Sequence, residues 1–139
     1  MGFAHATITL TNSGDEAVAA RGFLPPESVR KTEVRALVDS GASTLVINDT
    51  IKNQLGLRVQ ETAEISLADG SSQVCEIVGP VDIRFKNRHT VTYALVIPTA
   101  SDVLLGVIPL EGMDVIIDPK TQELALPPER PYLAQFIVR

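Results

Sequence analysis

The sequence has little of several residue types, and each scarcity excludes a class of protein. Its single cysteine, Cys75, cannot form a disulfide within the chain, which excludes a fold held together by internal disulfides. The two histidines, His5 and His89, are far apart and have no neighbouring Cys or His, so a zinc site has little support. No apolar run approaches the roughly 18 residues of a transmembrane helix. Phosphate-binding glycine loops and serine-hydrolase elbows are also missing.

Basic residues are scarce and scattered. The chain has 12 Lys and Arg against 17 Asp and Glu, which gives a net charge of −5. Because nucleic-acid binding depends on clustered basic residues that neutralise phosphates, we expect no nucleic-acid partner. The first residues lack the basic stretch and apolar core of a signal peptide, so we expect a cytoplasmic protein without a membrane partner.

What is present indicates a globular β protein. Hydrophobic residues make up 45% of the 139 residues, and we expect one domain over residues 1–139. Short apolar or alternating segments separated by sharp turns predict an all-β barrel or sandwich. The predicted strands are 4–11, 29–38, 44–47, 64–68, 73–78, 81–85, 90–97, 103–106, 115–118 and 123–126.

Two short helices and two interruptions are predicted between these strands. Asn48 is a good N-cap for a helix over residues 49–55 that ends at Gly56, and residues 108–113 suggest one helical turn. The sequence predicts a turn at residues 12–15 and an irregular surface loop over residues 16–28. Gly79-Pro80 is predicted to break the strand that contains it.

The stretch from Arg35 to Ile47 carries the chemistry. An apolar strand runs into Asp39, small residues form a tight turn, and a second apolar strand follows. We expect the Asp39 carboxyl to be partly desolvated at the strand end. Gly41 permits a positive φ or a close backbone approach, and Ser40 and Ser43 offer hydroxyl groups beside the acid. Turn chemistry alone also fits an ordinary Asp-Ser-Gly turn.

A second local signal is Asp69-Gly70 between two alternating strands. Asp-Gly in this position predicts a tight β-hairpin, with both turn residues at positive φ. The pattern does not by itself distinguish a plain surface hairpin from a mobile flap over a binding cleft.

Three segments together resemble aspartic proteases of the retropepsin type. Residues 36–43, Ala-Leu-Val-Asp-Ser-Gly-Ala-Ser, resemble the active-site loop of that family. Val103-Leu104-Leu105-Gly106 resembles the strand that passes under the loop, and Ala68-Asp69-Gly70-Ser71 resembles the tip of the flap. They occur in family order, and the likeness spans about residues 4–126. It is closest to the short stand-alone variety of bacteria and archaea, which implies a closed all-β barrel with one or two short helices and a flap hairpin.

The resemblance assigns roles to the loop and the hairpin. It implies that Asp39 is the catalytic acid or base, and that Ser40 bonds across to the loop of a second subunit. Gly41 would let the substrate backbone lie close and accept a hydrogen bond, Ala42 would support the loop, and Ser43 would donate to the outer oxygen of Asp39. The flap would comprise Ala68, Asp69, Gly70 and Ser71. The implied substrate is an extended peptide or protein, and no metal or organic cofactor is required.

The chemistry of this family predicts a homodimer. Aspartic proteolysis needs two carboxylates that share one proton. The chain has one Asp-Ser-Gly loop, and Asp69, Asp102 and Asp118 lack its setting. We therefore expect the second carboxylate to come from Asp39 of another copy across a two-fold axis. The tail, residues 127–139, ends in an apolar cluster that we expect to be buried between the two copies.

Two other functions remain compatible with the same residues. The fold could serve as a binding or dimerisation module without turnover. Asp39-x-Gly41-x-Ser43 also resembles the phosphate loop of actin-like ATPases, although those proteins have a much longer, two-lobed chain.

Overall fold

Nine strands form one continuous sheet in the computed structural model, which describes residues 4–138. The strands are β1 Ala4–Asn12, β2 Lys31–Val38, β3 Leu45–Ile47, β4 Val59–Ser66, β5 Ser72–Phe85, β6 Arg88–Val96, β7 Val103–Leu105, β8 Ile116–Asp118 and β9 Glu123–Ala125. The strands are connected by three short helices and a 3-10 turn, Pro26–Ser28. The helices are α1 Ser13–Ala20, α2 Asp49–Leu55 and α3 Val107–Met113. The predicted all-β class is confirmed.

The sheet closes into a six-stranded barrel. Its strand order is β4-β5-β6-β3-β7-β2-β1-β9-β8, and β5 also pairs with β1. That pairing closes a ring of six strands in the order β1, β2, β7, β3, β6 and β5. Strand β4 and the β8–β9 hairpin lie outside the ring. Alternate side chains of the strands fill the interior, and the fully buried ones include Ile8, Leu10, Leu45, Ile47, Val81, Ile83 and Leu105.

Helix α2 begins and ends as the sequence predicts. The Asn48 side chain accepts a hydrogen bond from the Ile51 N–H at 2.9 Å, which satisfies a free donor of the first turn. Gly56 follows the helix with φ +59°, the left-handed conformation that glycine adopts without steric cost. Helix α3 likewise covers the predicted turn at residues 108–113.

Helix α1 contradicts the predictions of a turn at residues 12–15 and of an irregular loop over 16–28. The Asn12 side chain caps the helix by accepting from the Asp15 N–H at 3.0 Å. Asp15 and Glu16 lie in the first turn, where acidic side chains stabilise a helix by interacting with the positive end of its dipole. No residue of α1 is buried. Its sequence carries no apolar stripe, which is the pattern that predicts a helix packed on a core.

The prediction that Gly79-Pro80 breaks a strand is also wrong. Strand β5 runs through both residues, and its register with β6 shifts between Val78 and Val81. Such an irregularity lets a strand accommodate a proline, which has no N–H to donate. Gly79 takes φ +141° there, and a Cβ on it would lie 3.0 Å from the Tyr93 ring.

The chain ends in a small hairpin and the tail. Strands β8 and β9 form the hairpin predicted for residues 115–126, and β9 pairs in parallel with β1 at His5 and Glu123. The described part of the tail has no helix or strand. No helix among residues 4–138 is long and apolar enough to cross a membrane.

Candidate active site

Asp39 lies on a loop that crosses the end of strand β7. Strand β2 runs parallel to β7 and places Val38 beside Leu105, and β3 runs antiparallel to β7 and places Leu45 beside the same residue. The loop over residues 39–44 therefore bridges the two strands that flank β7. The Asp39 N–H donates to the Leu105 carbonyl at 3.0 Å, which fixes the start of the loop to the barrel.

Gly106 and the first turn of α3 support this loop from below. A Cβ on Gly106 would lie 2.5 Å from the Thr44 carbonyl oxygen and 2.6 Å from that of Ala42. The next two residues donate to the loop: the Val107 N–H to the Ala42 carbonyl and the Ile108 N–H to the Ser43 carbonyl, each at 3.0 Å. Only glycine fits under the loop at this close approach.

The loop holds the Asp39 carboxylate in a defined orientation. Asp39 is half-buried, and its carboxylate Oδ1 accepts a hydrogen bond from the Gly41 N–H at 2.8 Å. The Ala42 N–H donates to the Asp39 carbonyl at 3.1 Å and closes the turn. Within residues 4–138, no donor reaches Oδ2, so one oxygen is fixed and the other is open to a water or a second group.

The serines of the loop point to solvent in the single chain. Ser40, Gly41 and Ser43 are exposed, and Ala42 is half-buried. The Ser43 hydroxyl was expected to donate to the outer oxygen of Asp39, but the described chain contains no such bond. The Gly41 N–H donates to the Asp39 side chain instead. The roles given to Ser40 and Ser43 therefore remain predictions for an assembled site.

The predicted flap hairpin is present, with a different turn geometry. Leu67 pairs with Ser71 through a 2.8 Å bond, and the Gly70 N–H donates to the Leu67 carbonyl at 3.0 Å. Only Gly70, with φ +87°, is at positive φ, so the prediction that Asp69 shares this conformation is wrong. Ala68, Asp69, Gly70 and Ser71 are all exposed. The turn has a three-residue loop closed by a glycine rather than a two-residue Asp-Gly turn.

Asp69 stiffens the hairpin tip. Its Oδ1 accepts from the Ser71 hydroxyl at 2.5 Å and from the Ser71 N–H at 2.9 Å. These two bonds, the hydroxyl bond foremost, lower the pKa of Asp69 because they stabilise its ionised form. The Asp69 side chain thus stabilises its own turn.

The structure also contains a buried acid that the sequence analysis missed. Asp82 lies on the outer face of β5 and is only 3% exposed. The His89 Nδ1 lies 2.9 Å from its Oδ1, whereas its Oδ2 has no hydrogen-bond partner in the described chain. Desolvation and the nearby Asp82 charge raise the pKa of Glu16 on α1. The alternation of β5 could have shown that Asp82 and Arg84 share a face, but not that α1 packs against β5.

Metal ligands are not grouped in the part of the chain that the structure describes. Residues 4–138 contain no group of three or more His, Cys, Asp or Glu side chains that could hold a metal ion. Asp102 lies before β7 and Asp118 at the end of β8, so neither lies on the Asp39 loop.

A family model matches the part of the chain that contains this loop. The model, described as aspartyl protease, covers residues 26–107, which is more than half of the chain and runs from the 3-10 turn to the start of α3. No curated protein matches the sequence. The match includes both Asp39 with its loop and Gly106 beneath it. The chain belongs to the retropepsin-like family of aspartyl proteases.

Proposed function

We propose that the protein is a homodimeric aspartic endopeptidase with one Asp39 carboxylate from each of two copies. The observation that carries the proposal is the Asp39 loop, which is fixed between β2 and β3 and over Gly106. The Gly41 N–H orients one carboxylate oxygen at 2.8 Å, and the other is open. A half-site of this form fits a mechanism that needs a second, identical half.

The mechanism follows from the pairing of the two carboxylates. Two carboxylates about 3 Å apart cannot both be ionised, so the pair holds one shared proton, as in known aspartic proteases. The ionised Asp39 takes a proton from a bound water as that water attacks the peptide carbonyl. The protonated Asp39 gives its proton to the carbonyl oxygen. As the tetrahedral intermediate collapses, the carboxyl that took the water's proton gives it to the leaving nitrogen and the C–N bond breaks. The other carboxylate takes back a proton from a hydroxyl of the intermediate, which leaves a carboxylic acid product and restores the shared proton.

The remaining loop and flap residues serve the assembly of this site. Ser40 is exposed beside Asp39 and donates to the partner's loop, and Ser43 donates to the outer oxygen of Asp39 once the loops meet. The substrate binds as an extended strand, with its backbone pairing as strands pair in a sheet. The β4–β5 hairpin closes over it through its exposed tip, residues 68–71.

Cleavage of a diverse peptide library by the wild type and by Asp39→Asn, across pH 4 to 7, tests this function. Asp39→Asn keeps the side-chain size and the acceptor for the Gly41 N–H but removes the acid. We expect cleavage by the wild type alone, detected by mass spectrometry. Equal cleavage by both proteins would contradict the proposal. Cleavage by neither, with a dimer present in solution, would favour a silent binding module.

A further inference from the structure

Asp82, on the outer face of the barrel, is a buried acid with one unsatisfied oxygen. Its side chain is 4% exposed, and its Oδ1 lies 2.9 Å from the His89 Nδ1. Its Oδ2 has no hydrogen-bond partner among the described residues, and the Arg84 Nε lies 3.7 Å away, beyond hydrogen-bond distance. A buried carboxylate oxygen without a donor costs free energy, so this position favours a group that can donate to it.

Strand pairing places Asp82 in a row of polar residues. Thr11 of β1 lies directly opposite Asp82 of β5, and Lys31 of β2 lies directly opposite Thr11. One step along the same face, Thr9 lies opposite Arg84. Directly opposite residues share a face of the sheet, so all five lie on one surface. Because adjacent strands are about 4.8 Å apart, about 10 Å separates the backbones of Asp82 and Lys31.

A cavity of about 470 Å³ lies on this surface beside α1. It is lined by polar residues of the strands, among them Thr9, Lys31 and Arg84, and by Glu16 and Ala20 of α1. The helix packs against β5 and β1, which gives the cavity a second wall. Its volume falls within the range of about 300–1,000 Å³ that is typical of small-molecule pockets.

The charged groups around the cavity differ in depth. The acids Asp82 and Glu16 are buried and half-buried, whereas the cations Lys31 and Arg84 are exposed. Burial, and then the charge of Asp82, raise the pKa of Glu16, which shows that the two acids lie where negative charge is poorly compensated. The deep part of the cavity therefore favours a cationic donor, and its rim favours an anion.

Two acids and two cations around one cavity favour a ligand that carries both signs. A simple cation would pair with Asp82 and Glu16 but would be repelled by Lys31 and Arg84, and a simple anion would have the reverse difficulty. A zwitterion can pair with both groups at once. A metal ion has no support as the occupant, because residues 4–138 contain no group of three or more His, Cys, Asp or Glu side chains that could hold one.

We propose that this cavity binds a zwitterionic amino acid with an aliphatic side chain. Its ammonium group donates to the Asp82 Oδ2 in the deep part of the cavity. Its carboxylate pairs with Lys31 and Arg84 at the rim, and its side chain packs against the alanines of α1. One amino acid with its two ion pairs spans the distance of about 10 Å between the Asp82 and Lys31 backbones.

This site is separate from the Asp39 loop. Lys31 is the first residue of β2 and Asp39 follows the last, so about 25 Å of extended strand lies between them. The inference therefore goes beyond the proposed function and does not rest on it. Binding can be measured in the full-length Asp39→Asn protein, in which no self-cleavage interferes.

Helix α1 offers a matched pair of variants for the test. Ala20 lines the cavity and Ala17 does not, although both are exposed alanines of the same helix. Ala20→Phe places a ring in the cavity, whereas Ala17→Phe adds the same ring elsewhere on α1. Asp82→Asn keeps the size of the side chain and removes its charge. Asp102→Asn makes the same change at an exposed acid in the loop before β7.

The test titrates the protein with L-leucine and follows its amide resonances by NMR. Two analogues each lack one charge: 3-methylbutylamine has no carboxylate, and 4-methylpentanoate has no ammonium group. We expect L-leucine to shift resonances of α1 and β1. Each analogue should bind at least about tenfold more weakly, because it loses one charged hydrogen bond.

The variants decide whether the binding occurs in this cavity. Asp82→Asn and Ala20→Phe should each weaken L-leucine binding at least about tenfold, whereas Asp102→Asn and Ala17→Phe should match their parent. Lys31→Gln, at an exposed position, should weaken binding of L-leucine but not of 3-methylbutylamine, which covers the case in which Asp82→Asn fails to fold.

Three results would overturn the inference. The first is no shift with L-leucine, which would mean that the Asp82 Oδ2 binds water alone. The second is an amine that binds as tightly as L-leucine, which would mean that the carboxylate is not recognised. The third is unchanged L-leucine binding in both Ala20→Phe and Lys31→Gln.

Discussion

At the scale of single residues, Gly106 decides whether the Asp39 loop can form. Its φ of −91° and ψ of −174° are open to any residue, so the requirement for glycine is purely steric. The atoms that a side chain would meet are backbone atoms of Ala42 and Thr44, which cannot move without moving the loop.

Gly106→Ala should therefore destabilise the fold by about 1–3 kcal/mol, because the added methyl overpacks a rigid site. It should also lower kcat/KM at least about 100-fold, because displacement of Asp39 by a fraction of an ångström disturbs the catalytic geometry. Gly14→Ala is the control, since its Cβ would meet only the Asn12 side chain, at 3.1 Å. Chemical denaturation and cleavage kinetics are the measurements. Wild-type activity in Gly106→Ala would refute the role assigned to Gly106.

Asp39 and its loop could be predicted because their signals are local, whereas contacts between residues far apart in sequence could not. The apolar strand, the acid and the glycine are adjacent in sequence, so their pattern indicates a strand-turn-strand unit. The ion pair between Asp114 and Arg130 was not predictable, since the two residues are 16 positions apart and meet only because the β8–β9 hairpin returns the chain to α3. The orientation of the carboxylate also depends on the fold of the whole loop.

At the scale of secondary-structure elements, the helices show which local sequence features predict a helix and which do not. The ends of α2 were predictable because Asn48 and Gly56 act locally. Helix α1 had a capping Asn12, two acids in its first turn and three alanines, but no apolar stripe. Without that stripe, Ser13-Gly14 favoured a turn. Capping and alanine content were the only signals that could have revealed α1.

Helix α1 carries a pH dependence through Glu16. Burial, and then the charge of Asp82, raise the pKa of Glu16, whereas Arg84, His89 and Lys31 oppose the shift. A carboxyl whose folded-state pKa is raised destabilises the fold when ionised, and this cost disappears as the pH falls below the unfolded-state pKa. Glu16→Gln should therefore stabilise the protein at pH 7 and have little effect near pH 4. Urea denaturation at the two pH values measures this, with Glu27→Gln, an exposed acid in the 3-10 turn, as the control. A loss of stability at pH 7 would contradict the expected sign.

The flap hairpin allows a prediction that separates binding from chemistry. Asp69→Ala removes both bonds to Ser71 and should loosen the tip without affecting the barrel. Because the tip is proposed to cover bound substrate, we expect a several-fold increase in KM with little change in kcat. Asp102→Ala, which removes an exposed acid from another loop, is the control. Steady-state kinetics on a cleaved peptide give both constants; equal KM values in the wild type and Asp69→Ala would exclude the tip from substrate binding.

At the scale of the whole molecule, the pattern of short strands predicts an all-β fold, and the family resemblance predicts its closure. The pairing of β1 with β5, which completes the ring, joins segments about 70 residues apart, and no local pattern specifies it. Of the two segments that were predicted wrongly, only Gly79-Pro80 lies where strand pairing imposes a conformation that local propensity does not favour, whereas α1 has its own cap and helix-forming alanines.

Two copies are required by the account, because one chain supplies one Asp39 loop. The tail, predicted to be buried between copies, is exposed in the single chain. Its burial in the dimer stays a prediction.

Mixing wild-type and Asp39→Asn subunits at constant total concentration tests whether two copies of Asp39 form one active site. The two proteins are unfolded together and refolded, and native mass spectrometry verifies that mixed dimers form. If each active site needs Asp39 from both copies, activity follows the square of the wild-type fraction and falls to about one quarter in an equal mixture. Activity of about one half, in proportion to the wild-type fraction, would show that each subunit acts alone, and about three quarters would show that one Asp39 per dimer suffices; either result would contradict the shared site.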